Sequence, residues 1–190
     1  MNQDPQSTSS LLNPNPIINY VPIQHSEEFL KHRSQAEDND DLEDEVDKYE
    51  IYDLIKDITD PEHPLTLEQI NVVQLDNIIV NQKTKHITVY FTPTIPNCTM
   101  SAVIGLSTKV KLLNSVSRKY KIDVLIEKGK HITEDAINKQ LCDKERVYAA
   151  LETQGLRRII YKCIQNDNEN DLLYMRIDQG PSSPGCFSLK

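Results

Sequence analysis

Between residues 45 and 165 the apolar positions fall into runs of helical and strand period; on either side they thin out. Ile51, Leu54, Ile55 and Ile58 repeat at i, i+3, i+4 and i+7, which predicts a helix over 45–58. Asp60-Pro61-Glu62-His63-Pro64 ends it, because proline has no N–H to give to a helix. Thr66-Leu67-Glu68-Gln69 has capping-box spacing and predicts a short helical turn. Val72 to Val80 is β-branched and strand-like. After a polar turn at Asn81 to Lys85, His86 to Thr92 alternates, with Ile87, Val89 and Phe91 on one face. These two strands form a predicted hairpin. Met100, Val103, Ile104, Val110 and Leu113 then recur at helical spacing to about Ser117, and Tyr120 to Glu127 alternates again up to Gly129. Thr133 with Glu134 and Asp135 opens a further helix. Asp143 caps the next, through Val147, Ala150 and Leu151. Beyond Gly155, Leu156, Ile159, Ile160, Cys163 and Ile164 form the last amphipathic stretch. This order predicts an α+β fold: a small two-layer domain with a three-stranded mixed sheet and helices on one face. The hairpin is antiparallel, and the third strand, reached by a helical crossover, is free to lie parallel.

Three zones follow: an acidic, disordered arm over 1–43, a domain over 44–165 and a flexible tail over 166–190. The arm has too few apolar residues to offset chain entropy, apart from the island Leu11 to Tyr20, which reads either as a docking segment or as a greasy linker. Charge sharpens the division. The net charge of −8 comes from one run, Glu37, Asp38, Asp40, Asp41, Glu43, Asp44, Glu45 and Asp47; without those eight, 21 acids face 21 Lys plus Arg. A balanced domain lacks the basic footprint of nucleic-acid binding. No stretch approaches the ~20 apolar residues of a membrane span. The polar N-terminus has no secretory pattern, so reduced thiols in the cytosol or nucleus are expected.

Of the four cysteines, Cys98 stands out. It lies between a strand and a helix, behind Pro93 and Pro96 and next to Asn97, a good N-cap. In the first turn of a helix the positive dipole end and unpaired N–H groups favour thiolate. A thiolate serves as nucleophile, metal ligand or redox group; the alternative is an inert, half-buried small residue. Cys142 and Cys163 sit in apolar helical patterns and read as core. No C-x-x-C pair or zinc-finger histidine spacing occurs. A cysteine-dependent enzyme would need a histidine base, for which His63 is the candidate in a turn. Asp60 and Glu62 read as carboxylate ligands or acceptors near the thiol, or, for Asp60, as a side-chain turn ahead of Pro61. Asn138, Lys139, Glu145 and Arg146 belong to a polar run that is either a solvated face or a partner-binding one, Arg146 being able to pair carboxylates bidentately.

Longer strings carry a resemblance. Ile51-Tyr52-Asp53-Leu54-Ile55, Asp60 to Glu68, and Phe91-Thr92-Pro93-Thr94-Ile95-Pro96 with Cys98 and Met100 resemble the cytosolic iron–sulfur assembly component two family. So do Ile104-Gly105-Leu106-Ser107, Val110 to Leu113, Asn138 to Leu141 and Asp143 to Val147. Leu11-Leu12 with Asn15-Pro16 is similar to its B-type members, the mitotic-spindle-associated MMXD complex subunit family. The resemblance implies an iron–sulfur assembly-type domain and a non-enzymatic adaptor of the cytosolic targeting complex, in cytoplasm and nucleus, with a link to chromosome segregation. Its implied partners are a WD40 propeller protein, a helical-repeat adaptor, iron–sulfur apoprotein clients of DNA replication and repair, and a second copy in a homodimer. It implies no stably bound cofactor, but a transient iron–sulfur cluster. Cys98 takes the place of the family's reactive cysteine, as functional thiol or transient metal ligand. Asp60, Pro61 and Glu62 match its Asp-Pro-Glu motif, and Thr92, Pro93 and Thr94 support the site. The chain departs from the family at Asn97, where histidine is expected, and in its longer tail.

Overall fold

The computed structural model describes residues 45–97 and 100–164. The arm over 1–43, the tail over 166–190, Cys98 and Cys186 lie outside the described residues. Among those described, five helices and three strands follow in the order α1 (Lys48–Ile55), β1 (Val73–Asn81), β2 (His86–Phe91), α2 (Ser101–Ser115), β3 (Lys121–Ile126), α3 (Glu134–Cys142), α4 (Lys144–Glu152) and α5 (Gln154–Ile164). The fold is the predicted α+β arrangement with a mixed sheet in the order β1-β2-β3.

β1 and β2 pair antiparallel, with a register shift between Val73 and Ile78. β2 and β3 pair parallel, Ile87 opposite Ile122, Val89 opposite Val124 and Phe91 opposite Ile126. All six are buried, as the alternation demands when one face of a sheet is covered. The alternate residues face the other way, and Ile79 there is 55% exposed. On the covered side, Ile51 and Ile55 of α1 and Ile104, Leu106 and Leu112 of α2 are buried. Burying one such side chain contributes roughly 1.5–3 kcal/mol, against about 0–1 kcal/mol for an ion pair at the surface, the half-buried Lys56–Asp53 among them. The apolar layer therefore decides the fold.

Local chemistry sets the boundaries. Asp47 caps α1 by accepting from Glu50 N, and Asp143 caps α4 by accepting from the N–H groups of Glu145 and Arg146. Thr66 and Gln69 form the reciprocal pair expected of a capping box, at 3.0 and 3.3 Å, although the segment makes only a turn. α3 packs tightly on α2: a Cβ on Gly105 would stand 2.5 Å from Leu141 Cδ1. The buried Lys109 of α2 donates from Nζ to the Leu141 carbonyl at 2.5 Å. It satisfies one orphan carbonyl at the end of α3, while burial pulls its ammonium pKa below the ordinary value.

Two sequence expectations need correction. Asn97 does not cap the long helix: α2 begins at Ser101 with Met100 in the N-cap position and no side-chain cap bond. The first helical bond runs from Ile104 N to Met100 O, while the Pro96 carbonyl accepts from Ile132 N at 3.0 Å. That bond ties the segment to the loop after β3 before the helix starts. Cys98, whose place in the first helical turn was expected, lies outside the described residues. The second correction concerns Cys142, which is half-buried and disulfide-bonded rather than packed as a reduced core thiol. Cys163 is the buried free thiol that its pattern predicts.

Candidate functional site

The expected site residues fall on two segments: the carboxyl ends of the parallel strands β2 and β3, and the turn after α1. Leaving β2, Thr92 donates from N to Val72 O at 2.9 Å and from Oγ1 to Glu127 Oε2 at 2.5 Å. Glu127, just past β3, donates from N to Phe91 O at 3.0 Å. Pro93 is buried and Thr94 exposed. Two proline rings fix φ along this stretch. The backbone bonds at Thr92 and Pro96 fasten both ends of 92–96 to neighbouring segments. Residues 92–96, which precede Cys98 in the chain, are thereby held at both ends.

The turn after α1 is equally defined. Asp60, 8% exposed, accepts on Oδ1 from Glu62 N and His63 N, both at 2.8 Å, and meets His63 Nδ1 at 3.1 Å. This is the side-chain turn that an Asp–Pro pair favours. Pro61 holds the bend and Glu62 projects into solvent. Thr59 N donates to Cys163 O at 2.9 Å and Leu67 N to Ile58 O at 2.8 Å, which seats the turn on α5 and on the segment leading into β1. Burial pushes the Cys163 thiol up from its ordinary pKa, and the Asp60 carboxylate adds to the shift. Cys163 is consequently a protonated, poorly reactive thiol at neutral pH.

His63 is committed to Asp60, whereas His131, which sequence reasoning passed over, adjoins the residue that bonds the Pro96 carbonyl. His131 is buried, and its Nδ1 accepts from Thr133 N at 3.1 Å. Its neighbour Ile132 donates to Pro96, two residues before Cys98. No sequence signal marks His131, because the proximity arises from the β2–β3 crossover. Nδ1 as acceptor puts the proton of the neutral ring on Nε2.

The four candidate partner-binding residues divide. Asn138 is turned inward: its Oδ1 accepts from Ile126 N at 2.8 Å and its Nδ2 donates to Ile126 O at 3.4 Å. Lys139, Glu145 and Arg146 are exposed around the α3–α4 junction. Arg146 also pairs through Nε with Asp143 Oδ2 at 3.3 Å. Among the described residues, no three His, Cys, Asp or Glu side chains converge into a metal-binding group.

The chain has close relatives among curated proteins. One, named cytosolic iron-sulfur assembly component 2B, from Dictyostelium discoideum, is 45% identical over 161 residues, covering 82% of this chain and 98% of that protein. The MIP18 family protein galla-2 of Drosophila melanogaster is 52% identical over 128 residues, 67% of this chain and 82% of that one. The chain belongs to the MIP18 family. A further relative of the family, the cytosolic iron-sulfur assembly component 2B of Mus musculus, is 50% identical over 129 residues, 68% of this chain and 79% of that protein. No family model matches the chain. The resemblance read from the Asp60–Glu68 and Phe91–Met100 strings is thus to the family to which the chain belongs. No helix among the described residues of this MIP18-family chain is long and apolar enough to cross a membrane.

Proposed function

We propose that this MIP18-family chain is an adaptor subunit of a cytosolic targeting complex, delivering iron–sulfur clusters to cytosolic and nuclear apoproteins without itself catalysing a reaction. The observation that carries the reading is identity of 45% along nearly the whole length of a relative named as a cytosolic iron–sulfur assembly component. The bonds that hold residues 92–96 at both ends add support, since a functional site needs supporting segments that are themselves fixed. Cys98 acts in this reading as functional thiol and transient ligand to the cargo cluster. Asp60, Pro61 and Glu62 shape one turn of the domain, and Thr92, Pro93 and Thr94 hold the approach to Cys98. One thiolate cannot satisfy a cluster that takes about four protein ligands. The remaining ligands come from a second copy or from the client during transfer. Lys139, Glu145 and Arg146 offer an exposed charged face to partners, which in this reading are a WD40 propeller protein, a helical-repeat adaptor and the apoprotein clients.

The test is affinity purification of wild type and Cys98→Ser from cells, with iron measured in the co-purified clients. The expected result is retention of the complex with iron-depleted clients. Clients with full iron from the Cys98→Ser complex would overturn the role given to this thiol.

A further inference from the structure

α5 turns to solvent a face that serves neither the core nor the helix itself. Leu156, Ile160, Cys163 and Ile164 pack against the core, with α2 and α4 as neighbours. Gly155, Arg158, Ile159 and Lys162 stand at i, i+3, i+4 and i+7 and line one outer stripe, which Arg157 flanks. All five are exposed, Ile159 by 40%. A Cβ on Gly155 would meet nothing within 4 Å, so the stripe is open where it begins.

The charge on this face has one sign. α5 holds no Asp or Glu. Arg157, Arg158 and Lys162 enter no ion pair among the described residues. The nearest acid in sequence, Glu152 at the end of α4, is exposed as well. Two of the cations do nothing for the helix that carries them. Arg157 lies in the first turn, where the dipole favours anions. Arg158 opposes Lys162, a like charge at i+4. Only Lys162, in the last turn, suits the dipole. An acid supplied from outside would relieve both mismatches. Arg158 and Lys162 are also ~6 Å apart along the axis, the spacing of two acids at i and i+4 on a second helix. Ile159 sets an apolar contact beside them.

We propose that the outer face of α5 docks an acidic amphipathic helix of a partner protein. Two of its carboxylates, one turn apart, meet Arg158 and Lys162, a third acid meets Arg157, and an apolar side chain covers Ile159 beside the open ground at Gly155. Docking here does not depend on the role given to Cys98. Exposed pairs are individually weak and screened by salt, so the affinity is modest and salt-sensitive.

The probe is a synthetic amphipathic helix with glutamates at i and i+4 beside a leucine stripe. It is titrated into the full chain and followed by backbone amide spectra at about 0.15 M ionic strength, where the screening length is about 8 Å. Expected are saturable shifts centred on Gly155, Arg158, Ile159 and Lys162. Binding should be roughly tenfold weaker to the R157Q/R158Q/K162Q variant, weaker to Ile159→Ser, and lost when the glutamates of the probe are replaced by glutamines. Absence of binding, or equal binding to the triple variant, would overturn the proposal. So would equal competition by polyglutamate or by a DNA duplex, since the face would then be an unselective anion patch. Shifts along α5 between the wild-type chain and its D167N/E169Q/D171N variant, without probe, would overturn it too, because the occupant would then be the chain's own acids.

Discussion

Asp60 shows how much one carboxylate can organise. It is nearly enclosed, and its Oδ1 takes two backbone N–H groups and contacts a histidine ring. Hydrogen bonds to a charged acceptor stabilise more than neutral ones, and the donors lose their partner when it is removed. Asp60→Ala is expected to lower the unfolding free energy by about 2 kcal/mol, read as a reduced urea midpoint. Asp60→Asn, which keeps an acceptor at Oδ1, should recover most of the loss. A variant as stable as wild type would show that Pro61 and Pro64 hold the turn unaided. This turn was readable from sequence because an Asp–Pro step has few alternatives. Asn138 was not, since an amide on a polar helix looks the same whether it meets water or the backbone of a strand. Cys142 was equally opaque: what a cysteine bonds to depends on distance through space, and chain spacing carries none of that.

At the scale of elements, the contact of α2 with α3 depends on the missing side chain at Gly105. Replacing glycine by alanine inside a helix gains up to about 1 kcal/mol in propensity. Here the added methyl meets Leu141 Cδ1 at 2.5 Å and Phe91 Cε1 at 3.2 Å, and both residues are fully buried. Overpacking of this kind costs about 1–3 kcal/mol and outweighs the propensity gain. Gly105→Ala should therefore destabilise in thermal unfolding. Its cost should be smaller in a Leu141→Ala background, because the two sites share one space. The strands were legible from alternation: Ile87, Val89 and Phe91 are all inward. The start of α2 was not, because Asn97 carries the right side chain for a cap while the Pro96 carbonyl is drawn to Ile132. The site follows the same division. Its local turns were readable, but the bond from Ile132, beside His131, to the Pro96 carbonyl was not, since a crossover separates them in sequence.

For the molecule as a whole, alkaline stability is set partly by Tyr52, whose hydroxyl donates to Glu68 Oε1 at 3.0 Å. Burial, reinforced by the Glu68 charge, raises its phenol pKa well above the ordinary 10.0. Tyr161 is raised too, by burial. Above the unfolded value the unfolded chain releases these protons and the folded chain keeps them. The unfolded state then binds fewer protons, and stability falls with rising pH. The contribution is complete below about pH 10 and is lost above it. Guanidinium midpoints should drop between about pH 9 and pH 11, and Tyr52→Phe should flatten that limb while costing about 1 kcal/mol below it. An unchanged slope in Tyr52→Phe would assign the loss to other groups.

The inward turn of Asn138 has one more consequence. Its amide offers Ile126 the donor and acceptor that a fourth strand would bring, so the margin of the sheet ends there in a stopper. A visiting extended segment would have to evict that side chain before it could zip on. The third strand is thereby closed at its carboxyl end to a further strand.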